Sequence, residues 1–362
     1  MVLKNNHSVG LDLLRVVSSL LVFIPHLLIS FLEKETGSLY IISSIGVELF
    51  FCLSGYLICK QGFKLFKIYS SKTLILSNAF IFVLRRIMRT WPAYFFALIA
   101  YTIFYKFTEK ELLYYCIFFQ NLYYPLVAET FFEVSWSIAV EEVFYFIYPL
   151  TIITVSFVLT NAYNKLAKPI LVILLSLFLI IFLSFVLREY QSYENWGADL
   201  RRVAVFRLDA IALGGIAYFL NIYLIKNKKL IISLLLLVLT SLAVIYSNLN
   251  FYAINGTFFY DFFSKNIIFY IIYVFSVSII ILFDKIIIVS NSRLKSFLNY
   301  TANLSYPFYL LHVLVIDLIK EFNFISITVN IILISLICLL ISVFIRKFIE
   351  EDILKLRPKY KS

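Results

Sequence analysis

The sequence predicts an all-α integral membrane protein, a bundle of about ten transmembrane helices with both termini cytoplasmic. Three observations predict it. Hydrophobic residues make up 62% of the 362 and charged residues only 15%, with a mean hydropathy of +0.94, whereas a water-soluble domain is nearer half apolar and a quarter charged. The apolar residues fall in continuous runs of roughly twenty, the length a helix needs to cross a hydrocarbon core, and not in the short alternating segments of a β-barrel. Basic and acidic loops alternate between the runs. Backbone polar groups within lipid must be satisfied inside their own segment, so each run is a helix.

The first span, 12–32, comes after Lys4; it is too long for a signal sequence and ends in no small-residue cleavage site, so it is expected to be retained. Span 42–60 runs from Glu33 and Glu35 to a basic loop holding Lys60, Lys64, Lys67, Lys72, Arg85 and Arg86. Within that loop Leu74–Leu84 is apolar but too short to span, which predicts an interfacial or buried helix leading into Arg85. Span 88–107 ends at an acidic loop (Glu109, Glu111, Glu129, Glu133), and span 136–159 at Lys165 and Lys168. Span 169–187 is followed by Glu189, Glu194 and Asp199, and span 204–224 by Lys226, Lys228 and Lys229. Span 229–247 leads to Asp261, and span 266–283 to Lys285, Arg293 and Lys295. The last two spans, 302–319 and 325–346, end in a tail carrying Lys355, Arg357, Lys359 and Lys361. Since basic loops stay inside, the basic set is cytoplasmic. The chain reads as one membrane domain over residues 1–362, without repeats or low-complexity linkers.

The net charge of +11 arises from those loops. A nucleic-acid partner would need a folded basic face outside the membrane, and the sequence offers none. Cys52, Cys59, Cys116 and Cys338 lie singly in apolar segments, so neither a metal site nor a disulfide framework is predicted.

Each ionisable group inside a span costs on the order of 3 kcal/mol and needs a reason. Span 1 carries Asp12, Arg15, Ser19 and His26. Arg15 and His26 are eleven residues apart, about three helical turns, so they share a face and His26 lies about 16 Å farther along. Pro25 predicts a local kink beside it. Aligned by depth, Glu48, Glu141, Glu142, Arg207 and Asp209 sit about two turns from the outer ends of their spans, Tyr306 lies low and His312 lies mid-membrane. His26, Glu141 and Arg207 are therefore expected to converge on one outward-opening cavity, with a second, basic opening at Arg15, Arg86 and Arg89. A structural ion pair explains any one of these residues but not ionisable groups on five spans. Two chemistries fit: a transport path for a glycan or lipid-linked sugar, or group transfer across the bilayer from an anionic donor held by arginines. A purely structural subunit leaves the buried charges without a role.

Local sequence favours group transfer. Leu-Asp-Leu-Leu-Arg at Leu11–Arg15, then His26; GVELFFCLSGYLI at Gly46–Ile58; RRIMRTWPAY at Arg85–Tyr94; SWSIAVEEVFYFIYP at Ser135–Pro149; FRLDAIALGG at Phe206–Gly215; and LSYPFYLLH at Leu304–His312 together resemble, in order, the acyltransferase-3 family of bacterial membrane O-acyltransferases. The resemblance places the family's basic residue and histidine on Arg15 and His26, its Arg-x-x-Arg element on Arg86 and Arg89, and its Trp-Ser-x-x-x-Glu element on Trp136, Ser137 and Glu141. Pro25 beside the histidine and Glu48 in place of an aspartate depart from the pattern, and the extracytoplasmic domain fused to some relatives is not expected.

The resemblance implies an O-acetyltransferase in the cytoplasmic membrane of a bacterium, drawing on acetyl-CoA and no metal. Its acceptor would be a surface polysaccharide or lipid-linked oligosaccharide, and its only other partner membrane lipid. His26, Arg15 and Glu141 would be catalytic, with Glu141 orienting the imidazole or holding the acceptor. Arg86 and Arg89, with Arg85, would hold the donor phosphates, since guanidinium pairs with phosphate bidentately. Glu48, Trp136, Ser137, Arg207, Asp209, Tyr306 and His312 would be acceptor-binding or structural. Tyr114, Tyr115, Tyr123 and Tyr124 in the 108–134 loop are candidates for stacking on sugars or for an interfacial belt.

Overall fold

Long unbroken runs of Leu, Ile, Val and Phe give long helices, and the computed structural model contains only helices and loops among the described residues. It describes residues 8–360 apart from 33–36, 67–71, 109, 127–130, 164–168, 224–227, 256–262, 287–290 and 323–325. The loop charges Lys4, Glu33, Glu35, Lys67, Glu109, Glu129, Lys165, Lys168, Lys226, Asp261 and Lys361 lie outside the described residues. The elements are α1 (Val9–Leu32), α2 (Gly37–Phe66), α3 (Lys72–Tyr105), short α4 (Leu112–Cys116), α5 (Ser135–Tyr163), α6 (Pro169–Glu189), α7 (Leu208–Tyr223), α8 (Lys228–Asn255), α9 (Ile268–Ile286), α10 (Ser292–Phe322), α11 (Ile327–Ile345) and short α12 (Glu351–Lys355).

Among the described residues nine helices are long and apolar enough to cross a membrane; α8 is the remaining long helix, with a shorter described apolar stretch at Ile232–Ser247. The chain is a multi-pass membrane protein. One boundary is corrected. Leu74–Leu84 is not a separate interfacial helix but the start of α3, which runs unbroken for 34 residues through Pro92. At 1.5 Å per residue α3 is about 51 Å long, well beyond a hydrocarbon core of about 30 Å. Arg85 and Arg86 therefore lie within the same helix as Arg89 instead of in a loop. Proline fits there because a bundle re-satisfies the backbone groups it frees.

Helices α2 and α7 form the centre, each with 72% of its apolar window buried, against 22% for the last span. Glycine lets them touch. A Cβ on Gly55 would lie 1.7 Å from the Ile211 carbonyl oxygen, and one on Gly214 would lie 1.9 Å from that of Cys52. Such backbone approach is the usual basis of tight helix packing in lipid, where no hydrophobic force brings helices together. Gly46 does the same for α1, facing the Ser18 carbonyl and Val22. Helix α1 in turn packs on α10, where Phe23 and Leu27 join Val315, Ile316 and Ile319 in a second apolar cluster.

Candidate active site

Two groups of polar residues stand in this frame, and their geometry separates them. The first lines a cavity of about 240 Å³ between α1, α2, α3, α5, α10 and the chain after α11. Arg15, Arg86, Arg89, Arg346 and Arg357 line it, facing only two acidic residues, Glu141 and Glu350. Arg15 is 3.4 Å from Asp12, Arg346 reaches Glu350 at 2.9 Å, and Glu141 accepts from the Tyr145 hydroxyl at 2.5 Å. Arg15, near the start of α1, and Arg357, beyond α12, both line this cavity, so these two parts of the chain share one end of the bundle.

Helix α3 owes its position to the residue beside Glu141. One step, or 100°, around the helix, Glu142 leaves the cavity and accepts from Thr90 Oγ1 at 2.5 Å and Trp91 Nε1 at 2.9 Å. The Tyr306 hydroxyl donates to the Thr90 carbonyl at 2.9 Å, so α3, α5 and α10 are stapled at the level of Arg86 and Arg89. Arg85 departs from its expected role. It does not line the cavity; it donates to the Pro358 carbonyl at 2.7 Å and lies 5.0 Å from the ring centre of Tyr360.

The cavity extends to Ser137 and Tyr309, whose hydroxyls are 2.7 Å apart. One helical turn farther along α10, His312 packs edge-on to His26 with ring centres 5.1 Å apart, and Phe23 lies 6.1 Å from His312 and 5.0 Å from Phe308. His26 Nδ1 is 2.8 Å from the Val22 carbonyl, and His312 Nδ1 is 2.7 Å from that of Tyr309. A carbonyl oxygen can only accept, so in each neutral ring Nδ1 carries the hydrogen and Nε2 keeps its lone pair. His26 thus presents a basic nitrogen, oriented by the Val22 carbonyl one turn earlier in α1 and next to Pro25, which α1 carries within its run. The Nε2 of His312 is buried without a hydrogen-bond partner.

This geometry corrects two expectations. Glu141 faces the arginine cavity and does not orient His26, because the Val22 carbonyl already holds Nδ1. Nor does Arg207 converge on His26. It is fully buried and ion-paired to Glu48, while Arg188 meets Asp209 at 2.7 Å with both side chains inaccessible. Tyr273 donates to Asp209 at 2.9 Å, Arg201 approaches Glu48 at 3.7 Å, and the Arg207 guanidinium stacks 4.0 Å from the Phe269 ring centre. Glu48, Arg207 and Asp209 are therefore a structural knot tying α2, α6, α7 and α9. Sequence gives the depth of a residue along its span, but not the direction its side chain faces.

Beyond His26 the sequence reading missed a charged rim. Glu133, Arg201 and Arg202 lie within electrostatic reach of His26, with Arg202 paired to Glu133 at 2.7 Å and Arg201 4.9 Å from the Trp136 ring centre. Asn121 fastens the preceding loop across this rim through the carbonyls of Trp136 and Arg202, at 3.0 and 2.6 Å. Of the loop tyrosines, Tyr114 and Tyr123 are exposed, while Tyr115 is 1% exposed and takes no part in an open surface. Burial pushes its phenol pKa up. No group of three or more His, Cys, Asp or Glu that could hold a metal occurs among the described residues.

The family model for an acyltransferase domain matches residues 8–347, nearly the whole chain. No protein of curated function and no solved structure matches it.

Proposed function

The chain belongs to the acyltransferase-3 family, and from that premise we propose that this membrane acyltransferase is an O-acetyltransferase, moving an acetyl group from cytoplasmic acetyl-CoA to a hydroxyl of a surface polysaccharide or its lipid-linked precursor. The observation that carries the reading is an arginine-rich cavity that ends at Tyr309, whose ring packs against His312, which in turn packs edge-on to His26. An excess of guanidinium over carboxylate suits a donor bearing several phosphates. Both termini and this cavity would lie on the cytoplasmic side, as the basic loops argue, in the inner membrane of a bacterium.

The span from Arg15 to His26 is about 16 Å along α1, a distance the extended arm of coenzyme A can cover once it passes Tyr309. The acceptor hydroxyl, coming from the opposite side past Glu133, Arg201 and Arg202, would give its proton to His26 Nε2 as its oxygen bonds the thioester carbonyl carbon. Collapse of the adduct breaks the carbon–sulfur bond, and the departing thiolate takes the proton from His26. The same lone pair also permits an acyl-histidine intermediate, in which Nε2 attacks first and the hydroxyl second. Deleting the gene and measuring the mass and acetyl content of the surface glycan tests the reading. Loss of the acetyl groups, restored by the intact gene, is expected; an unchanged glycan would refute it.

A further inference from the structure

One wall of the arginine cavity comes from the chain beyond α11. After α11 the backbone makes a π-turn over Arg346–Glu350 and continues into α12. Turns of this kind insert a residue and re-aim the side chains beyond it, and they recur at functional sites. The residues that then face the cavity are Arg346, Glu350, Leu354 and Arg357. Arg346, Glu350 and Leu354 recur every fourth residue along the π-turn and α12, and Arg357 lies just past the end of α12. The last three lie beyond the stretch matched by the family model, which ends at residue 347.

Arg357 differs from Arg346. Arg346 has Glu350 as an ion-pair partner, whereas Nε and Nη2 of Arg357 are closed off from solvent with no hydrogen-bond acceptor among the described residues. Burial and the neighbouring Arg89, Arg86, Arg85 and Arg346 lower the Arg357 pKa to about 10. A guanidinium held among like charges with unmet donors is a group waiting for an anion. It is held there by Arg85, which grips the next residue, Pro358, and lies against Tyr360.

We propose that residues 346–360 are a wall of the donor site, that Arg357 binds a phosphate of the donor directly, and that Arg85 is a positioning residue acting through this tail. The inference rests on the reading of the cavity as the coenzyme A site. Coenzyme A itself, titrated into the full-length protein in detergent, is the probe. Arg357→Ala should weaken binding roughly 10-fold or more, and Arg357→Lys should recover part of it. Arg85→Ala should weaken binding less, and in an Arg357→Ala background it should add nothing, because residues that act through one another are not additive. Coenzyme A should also slow tryptic cleavage at the exposed Lys355 and Lys359 in the wild-type chain, which needs no variant to fold. If Arg86→Ala weakens binding while Arg357→Ala and the cleavage rate are unaffected, the tail is not part of the site and the donor reading stands. Should the wild-type protein bind no coenzyme A, the donor reading falls and the tail's role with it.

Discussion

Two clusters of charge sit inside this bundle, built from the same residue types and put to opposite uses. Around Glu48 and Asp209, the guanidinium groups of Arg188 and Arg207 are sealed in, and each acid has an ion-pair partner. Around Arg86 and Arg89, five arginines share a cavity with two acids. The first cluster is closed, nearly balanced and surrounded by Phe269 and Tyr273; the second is open and carries an excess of positive charge. The lesson is that an ionisable residue in a membrane span points to function only where charge is left uncompensated beside a space. Charge that is matched and enclosed holds helices together, and breaking it exposes a lone ion to a low-dielectric interior.

That distinction is open to attack by mutation. The largest effect is expected at the closed cluster. Glu48→Ala should leave Arg207 unpaired and cost about 3–5 kcal/mol, read as loss of folded protein from the membrane and a lower unfolding temperature. Converting both partners, Glu48→Met with Arg207→Met, should recover much of that loss, since an apolar pair of similar volume is often tolerated. Recovery of folding with acyl transfer intact would confirm that the knot is structural; recovery of folding with transfer absent would mean that it also serves the reaction. At the open cluster the pattern should invert. Arg86→Ala or Arg89→Ala should leave the protein level near normal yet raise the KM for acetyl-CoA by roughly 10- to 100-fold, the worth of one charged hydrogen bond. A change in the acceptor KM alone would show that these arginines do not hold the donor. The smallest effect belongs to the boundary between cavity and histidines. Tyr309→Phe removes the hydroxyl contact with Ser137, a loss of about 0.5–1.5 kcal/mol, and should lower kcat several-fold with the donor KM unchanged. A donor KM that rises with no change in kcat would place Tyr309 within the donor's binding contacts.

Most of the fold was legible because it is one-dimensional information. Run length marks a span, and the order of motifs from Arg15 to His312 marks the family. That Arg15 and His26 share one helix was legible too, and α1 runs unbroken through both. What sequence could not supply was azimuth across elements. Glu141 and Glu142 occupy the same depth, yet one faces the cavity and the other staples α3. Arg207 sits at a plausible depth for an acceptor site but is turned toward Glu48, because Gly55 and Gly214 let α2 and α7 close on each other. A signal was present in those glycines, whose place in FRLDAIALGG and GVELFFCLSGYLI hinted at close packing. The tail arginines were hidden for another reason: the π-turn that folds them back over the cavity leaves no mark in the residues Arg346–Glu350 that pattern reading can recognise.

The central claim is that donor binding and group transfer are separate, with Nε2 of His26 doing the chemistry and the arginine cavity holding the donor. The most direct test is His26→Ala, assayed for both properties in the same preparation. The account predicts that the variant accumulates in the membrane, binds coenzyme A as the wild type does, and transfers acetyl groups on the order of 10²- to 10⁴-fold more slowly, the share a general base typically carries. Transfer at the wild-type rate by a variant lacking this imidazole would contradict it.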